Sequence, residues 1–293
     1  MLTVILQQGI NGIVMGGLYV LVALGLTLIY GVLVQINFAH ADIVTLGAFA
    51  AYFIAQLLSG NYFLGIAVAI LVGGVLGWLI NAAIFTPLRE QRSELLPLIA
   101  TIGVSIMLQN AMLLLFGPIP YAFNTPYSSR VIHIGSLFFT LQNLLIILVS
   151  TATIALLYAF MKFTFLGKAL RAVSQDRDTA ALMGINPNSL IMLTFIIASA
   201  LAGMSGALLG PVLVLTPFAG TSVIVKAFAI VIIGGFGNVE GTIIAGLIVG
   251  LIESYTTQLL DPGWIDIAVF ALLLIMLAVR PTGLIAEKRA ENV

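Results

Sequence analysis

The sequence predicts an all-α, polytopic transmembrane helical protein of about eight spans, one or two of them short or interrupted. Hydrophobic side chains make up 61% of the 293 residues and charged ones only 8%. A water-soluble domain carries about 25% charged residues, so the solvent for most of this surface is hydrocarbon. The apolar residues fall in long continuous runs, not in the short alternating segments of a membrane barrel. A run immersed in lipid must be helical, because a lone strand there leaves its backbone groups unpaired.

The apolar stretches are 4–34, 43–58, 62–85, 95–116, 141–161, 189–215, 223–236, 241–260 and 264–279. The first is expected to be a retained span, since it lacks the basic region and small-residue cleavage site of a signal peptide. The second is irregular: stretch 38–58 follows Asn37 and carries His40 and Asp42 near its start. Stretch 223–236 has only 14 residues, short against the roughly 20 of a full crossing. Short or interrupted spans point to a transport pathway, because irregular backbone survives in a membrane only where it lines a cavity.

The connecting segments set direction. Arg89 and Arg92 lie in 86–94, Lys162, Lys168, Arg171 and Arg177 in 162–188, and Arg280, Lys288 and Arg289 in the tail. Only Arg130 and Lys226 lie elsewhere. By the positive-inside rule those three segments are cytoplasmic. Segment 117–140, rich in Pro, Tyr and Asn, is then the main external loop. Following the apolar stretches outward and inward from these anchors puts the N-terminus outside, the turn GFGNVEG (235–241) inside and the C-terminus in the cytoplasm.

Several chemistries are excluded by inventory. Net charge is zero, which argues against nucleic acid as a partner, and there is no cysteine for disulfides or thiolate sites. His40 and His133 sit in different environments, so no metal cluster is suggested, and no GxSxG occurs. Gly167-Lys168 is followed by alanine and lacks the upstream glycine of a phosphate-binding loop. No cofactor is expected on this chain. Energy for uphill transport must come from an ion or from another subunit, and the scarcity of intramembrane acids favours the second.

Asp42 and Glu253 are the clearest intramembrane acids, and Glu240 sits in a turn. Asn37, His40 and Asp42 are candidates for a translocation pathway, with helix capping by Asp42 the alternative. Glu253 lies 12 residues past that turn, about 18 Å along a helix and so towards the outer surface. Glycines at small-xxx-small spacing (Gly12/Gly16, Gly73/Gly77, Gly206/Gly210, Gly237/Gly241, Gly246/Gly250) predict close helix packing. In 165–190, Leu166, Leu170 and Val173 form one helical stripe, and Asp178 is expected to cap a second short helix over 180–183, closed by Gly184. A short helix lying along the cytoplasmic surface suits a docking lever.

Three blocks carry a family resemblance: GINGIVMGGLYVLVALGLTLIYGVLVQINFAHADIVTLGAFAAY, GKALRAVSQDRDTAALMGIN and GGFGNVEGTIIAGLIVGLIE. In that order they resemble the membrane permease subunits of branched-chain amino acid ATP-binding-cassette (ABC) importers, over 9–285, and the shorter of that system's two permeases in particular. The resemblance implies a single permease domain over 1–293, with a coupling segment at 162–188, in a bacterial inner membrane. It implies a second permease subunit, two cytoplasmic ATPase subunits that use ATP, and a periplasmic solute-binding protein delivering leucine, isoleucine or valine. TAALMG (179–184) resembles the coupling sequence of importer permeases, so Asp178, Ala180, Ala181 and Gly184 are expected to dock on the ATPase. The acid and the glycine depart from strict EAAxxxG spacing, and Ala41 stands where relatives often have glycine. Permeases for urea, short amides or other amino acids, and an ion-coupled secondary transporter using Asp42, are the alternatives.

Overall fold

The computed structural model describes residues 1–58, 60–88, 95–135 and 137–285. Arg89, Arg92, Lys288 and Arg289, four of the charges that orient the chain, lie outside the described residues. The helices begin with α1 (Leu2–Leu33), α2 (His40–Leu57) and α3 (Tyr62–Ile80), which runs on through a π-helical turn, Asn81–Phe85, into the one-turn α4 (Thr86–Leu88). Next come α5 (Leu95–Phe116), α6 (Leu141–Phe163), α7 (Phe165–Gln175) and α8 (Arg177–Leu182). The chain finishes with α9 (Pro187–Leu209), α10 (Ala219–Gly234), α11 (Val239–Leu259) and α12 (Ile265–Val279). Eight of the described helices are long and apolar enough to cross a membrane, and α10, at 16 residues, is a shorter apolar ninth. The chain is an all-α multi-pass membrane protein.

The bundle is built around α1, whose residues from Gly16 to Ile29 are all buried. α11 runs antiparallel to it, with no side chain between the backbones at the crossing points. A Cβ on Gly12 would stand 2.8 Å from Leu251 Cα, and one on Gly16 would stand 3.1 Å from Gly246 O and Leu247 Cα. Gly250 and Gly246 return the contact, the first onto the Gly16 backbone and the second onto Val20. Higher up the same seam, the Thr27 and Thr242 hydroxyls share a hydrogen bond of 2.8 Å. A second crossing joins α2, α3 and α9: Gly73 and Gly203 face each other, Gly47 meets Gly203, Gly77 meets Phe195 and Ser199, and Gly206 meets Val44. Helices in lipid gain nothing from hiding apolar side chains, so close approach at small residues is what holds such crossings. Helices α5 and α12, by contrast, are almost wholly exposed in this chain.

The two ends of the bundle differ. At one end the Gln7 side chain clamps Phe138 of a small hairpin, donating to its carbonyl at 2.7 Å and accepting from its N–H at 3.1 Å. That hairpin, β1 (Val131–Ile134) and β2 (Leu137–Thr140), pairs Val131 with Thr140 and Ile132 with Phe139. The sequence predicts only a loop here. Four-residue strands give too short an alternation to register, and the second runs straight into the apolar residues of α6. The opposite end carries α7 and α8, and residues 281–285 return to it, with Leu284 N–H on Ile233 O at 2.8 Å. The N-terminus and residue 285 therefore lie at opposite ends of the bundle. An odd number of crossings is required for that, which makes α10 with its approach segment a crossing in its own right.

Two boundaries differ from the sequence expectation for one reason. Helix α9 stops at Leu209, so 210–215 is not part of the span, and α10 starts at Ala219 instead of 223. Hydropathy alone cannot see either end: 210–215 is as apolar as the helix before it, and the small and polar start of α10, 219–222, reads as loop.

The glycine seams make a test with opposite signs. Gly73→Ala places a methyl on Ser199 O and should lower stability by about 1–3 kcal/mol. Gly103→Ala on α5 meets nothing within 4 Å and should leave stability unchanged or raise it by up to about 1 kcal/mol. Unfolding midpoints of the purified chain in detergent micelles measure both.

Candidate functional site: two broken helices meeting inside the membrane

The first break lies between α1 and α2. Val34 ends α1 in the left-handed region, φ 56°, with its N–H on Tyr30 O at 2.7 Å. The chain then turns back into the protein, and α2 starts at His40 against Val22 of α1, Nε2 to O 3.2 Å. Val22 is 11 residues before Leu33, so α2 begins about 16 Å inside the bundle from the end of α1. Segment 34–39 is thus non-helical backbone at membrane depth. Phe38 N–H reaches Thr101 Oγ1 at 3.4 Å, and Asn37 O accepts from His40 N–H at 3.3 Å.

All three pathway candidates read from the sequence come together at this break. Asn37, His40 and Asp42 are buried, and each keeps polar atoms with no partner: both side-chain atoms of Asn37, His40 Nδ1 and Asp42 Oδ2. Ser105 and Gln109 of α5 face the Asp42 carboxylate. Asp42 stands in the first turn of α2, where free backbone N–H groups favour a carboxylate, while the N-cap itself is Ala39 and makes no side-chain cap bond. Unpaired buried polar groups cost about 1–3 kcal/mol each in protein and more in hydrocarbon. A protein keeps three of them together where water or solute reaches them at some stage.

The second break lies between α9 and α10. Leu215 pairs with Tyr121 of the loop at the hairpin end, N–H to O in both directions at 2.9 and 3.1 Å. The chain then descends to Ala219. There Gly220 N–H donates to Thr45 Oγ1 of α2 at 2.9 Å, and a Cβ at Gly220 would fall on Ala41 O. The starts of α2 and α10 therefore abut each other inside the bundle. Val214, Phe218, Thr221, Ser222 and Val225 are exposed along this strip. Val214 and Phe218 lie on non-helical backbone, which at membrane depth is tolerated only against protein or a cavity, and the Ser222 hydroxyl bonds Ala219 O at 3.1 Å.

Helix α10 also carries a group that sequence reasoning left unassigned. Lys226 Nζ donates to Glu253 Oε1 of α11 at 2.9 Å and to the Tyr19 hydroxyl of α1 at 3.2 Å. Both charged side chains are nearly buried, at 13% and 12% exposure. Glu253 is therefore paired inside the bundle, beside Ser254, whose hydroxyl reaches Gln8 near the start of α1. A lone lysine in one apolar stretch and a lone glutamate in another were the available signal, since each is expensive without the other.

The segment 165–190 forms α7 and α8 on the bundle end opposite the hairpin. Ala169, Leu170 and Val173 of α7 pack with Ala180 and Leu190 against Val32, Phe160 and Met161. Leu166 is off this stripe and 44% exposed. The cap of α8 is Asp176, not Asp178: its Oδ1 accepts from Asp178 N–H and Thr179 N–H, both at 2.9 Å. The short helix accordingly starts three residues earlier than the sequence suggests. These bonds, with one from the Thr179 hydroxyl, hold the Asp176 carboxyl below the usual carboxylate range. Of the four docking candidates, Asp178, Ala181 and Gly184 are exposed and Ala180 is buried. Gly184 has φ +83°, a conformation side chains resist. Beside it Leu182 and Met183 stand 88% and 79% exposed, an apolar pair on the surface of the chain. Of the expected packing glycines, Gly12, Gly16, Gly246 and Gly250 lie in the α1–α11 seam. Gly241 abuts Gly234, but Gly237 sits in the turn before α11 with φ +80° and faces Gly31, so Gly237 and Gly241 share no helix face.

The chain matches the model of a family described as branched-chain amino acid transport system permease component over residues 9–278. It is 34% identical to the high-affinity branched-chain amino acid transport system permease protein LivH of Salmonella typhimurium, across 98% of this chain and 97% of that one. It is 32% identical to the permease protein BraD of Pseudomonas aeruginosa, named for the same transport, across 98% of both. It is 29% identical to a probable branched-chain amino acid transport permease of Methanocaldococcus jannaschii, across 85% of this chain and 80% of that one. No solved structure matches it.

Two outcomes follow from this geometry. Glu253→Gln strands Lys226 and should destabilise the chain by about 3–5 kcal/mol, while Lys226→Leu with Glu253→Leu restores most of the loss; unfolding in mixed micelles reads both. Asp176→Ala should fray α8, seen as faster amide exchange at 178–182. Because the folded carboxyl titrates below its unfolded value, its stabilisation is full at neutral pH and fades as pH falls through the acid range.

Proposed function

Because the chain belongs to the family of branched-chain amino acid transport system permease components, we propose that it forms half of the membrane pathway of an ABC importer for leucine, isoleucine and valine. The meeting of the α2 and α10 starts inside the membrane carries this reading. It supplies buried polar groups at Asn37, His40 and Asp42 on one side and an exposed strip with Thr221 and Ser222 on the other. A second permease subunit covers that strip, and the solute passes between the two. Affinity resides in a periplasmic solute-binding protein, so the pathway itself needs no tight site.

Sidedness follows from charge. The α7–α8 end carries Lys168, Arg171 and Arg177 and is cytoplasmic, with the C-terminus there and the hairpin end outside. Two ATPase subunits use ATP on the cytoplasmic face and act through 162–188. Asp178, Ala181 and Gly184 line the contact with Leu182 and Met183 as its apolar anchor, while buried Ala180 ties the segment to the bundle. Exposed apolar side chains flanked by polar residues are the usual core of such an interface.

Leu182→Asp with Met183→Asp should cut ATP-driven leucine uptake by the reconstituted complex by about tenfold or more. Both side chains are exposed, so insertion and thermal stability stay at the unmodified level. Unchanged uptake would place the ATPase contact elsewhere. Leucine uptake into vesicles holding this chain alone would sink the ABC reading in favour of a self-sufficient transporter.

A further inference from the structure

At the α7–α8 end the last turns of α1 and α6, the inner face of α7 and the start of α11 enclose a cavity of about 340 Å³. That is the size of a small-ligand site, roughly 300–1,000 Å³. Its walls divide by chemistry. Leu28, Val32, Met161, Leu170 and Val239 make an apolar side, and Lys162, Arg171 and Glu240 make a charged rim. The rim holds both signs of charge, yet among the described residues the ion pair present is Lys226–Glu253 and none joins Glu240 to Lys162 or Arg171. The Tyr158 hydroxyl stands between them, donating to Glu240 Oε1 at 3.1 Å and accepting from Lys162 Nζ at 3.1 Å.

Opposite charges kept apart around a void, with an apolar wall behind, are the complement of a zwitterion with an apolar side chain. A carboxylate fits Arg171 and Lys162 in charge-assisted hydrogen bonds, an ammonium fits Glu240, and an aliphatic chain fits the wall of Leu28, Val32 and Leu170. We propose that this cavity binds a free aliphatic amino acid from the cytoplasm. The ligand would join Arg171 on α7 to Lys162 on α6 and Glu240 on α11; without it Tyr158 already links α6 to α11, and among the described residues Arg171 has no such tie to either. Binding therefore fixes α7 against the bundle. The consequence is a brake: accumulated amino acid holds the coupling segment and slows its own import. The brake rests on the importer reading above; the binding does not.

The test is calorimetric titration of L-leucine into the full-length chain in lipid nanodiscs. Saturable binding in the range of about 1 mM is expected, and Glu240→Gln and Arg171→Gln should each weaken it by about tenfold or more. Both side chains are exposed, so neither change threatens the fold. 4-Methylpentanoate, which lacks the ammonium, and leucinamide, which lacks the carboxylate, should each bind about tenfold more weakly. Absence of binding, or binding that survives both substitutions, overturns the site. So does displacement of leucine by inorganic phosphate as readily as by valine, which would make it an anion site. A wrong importer reading shows separately, as absence of ATP-driven uptake by the complete assembly, and leaves these binding outcomes as they stand.

Discussion

A bilayer removes the force that assembles soluble bundles. Apolar side chains are as well solvated by lipid tails as by one another, so helices associate where their backbones can touch. In this chain the touching points are glycines: Gly12 and Gly16 against Gly246 and Gly250 on the α1–α11 seam, and Gly47, Gly73, Gly77, Gly203 and Gly206 where α2, α3 and α9 cross. Everything else depends on these two seams. They bury the middle of α1 on all sides, and they bring α2 close enough to α1 for His40 to reach the Val22 carbonyl. Helix α12 needs only to be apolar, being 6% buried, whereas α5 also presents Thr101, Ser105 and Gln109 to the first break.

The same tightness makes the two breaks tolerable. Non-helical backbone at membrane depth is ruinous when lipid can reach it and acceptable when protein surrounds it. Segment 34–39 is enclosed by α1, α5 and α10, and the start of α10 leans on Thr45 of α2. Helix α10 has only 16 residues. The Lys226–Glu253 pair, with Tyr19, ties it to α11 and α1 at about the middle of its length. A buried ion pair adds little net stability, but it fixes register, because any sliding of α10 would strand both charges.

Much of this was legible from composition and spacing, and the misses share a cause. Long apolar runs gave the spans, and the short stretch 223–236 with the polar start of 38–58 marked both breaks before any coordinates. Asn37, His40 and Asp42 stood out because polar residues in lipid are rare enough to need a reason. What sequence could not supply was pairing between distant stretches: Lys226 with Glu253, the Thr45 hydroxyl with Gly220, or Arg171, Lys162 and Glu240 around one cavity. Capping was misjudged at Asp178 by a local ambiguity. Asp176 and Asp178 both precede a plausible helix start, and only backbone geometry shows which carboxylate receives the free N–H groups. Gly237 was misread because i and i+4 spacing implies a shared face only if both residues are helical.

Packing joins α7 to the breaks. Leu170 and Val173 of α7 pack on Val32 and Met161, and Val32 is five residues before Asn37. Helix α9 starts beside Leu190 of the same cluster and ends in the three-helix crossing. A load applied to α7 therefore meets α1 and α9 first, and both are locked by glycine contacts that permit no compression. The non-helical parts nearby are segment 34–39, held at Val34, Asn37 and Phe38, and the approach to α10, held by the bonds of Val212 and Leu213 to Leu209 and by the Leu215 bridge. Rigid seams with non-helical breaks between them concentrate any displacement at the breaks. The first of these breaks is also where Asn37, His40 and Asp42 keep unmet hydrogen-bonding capacity.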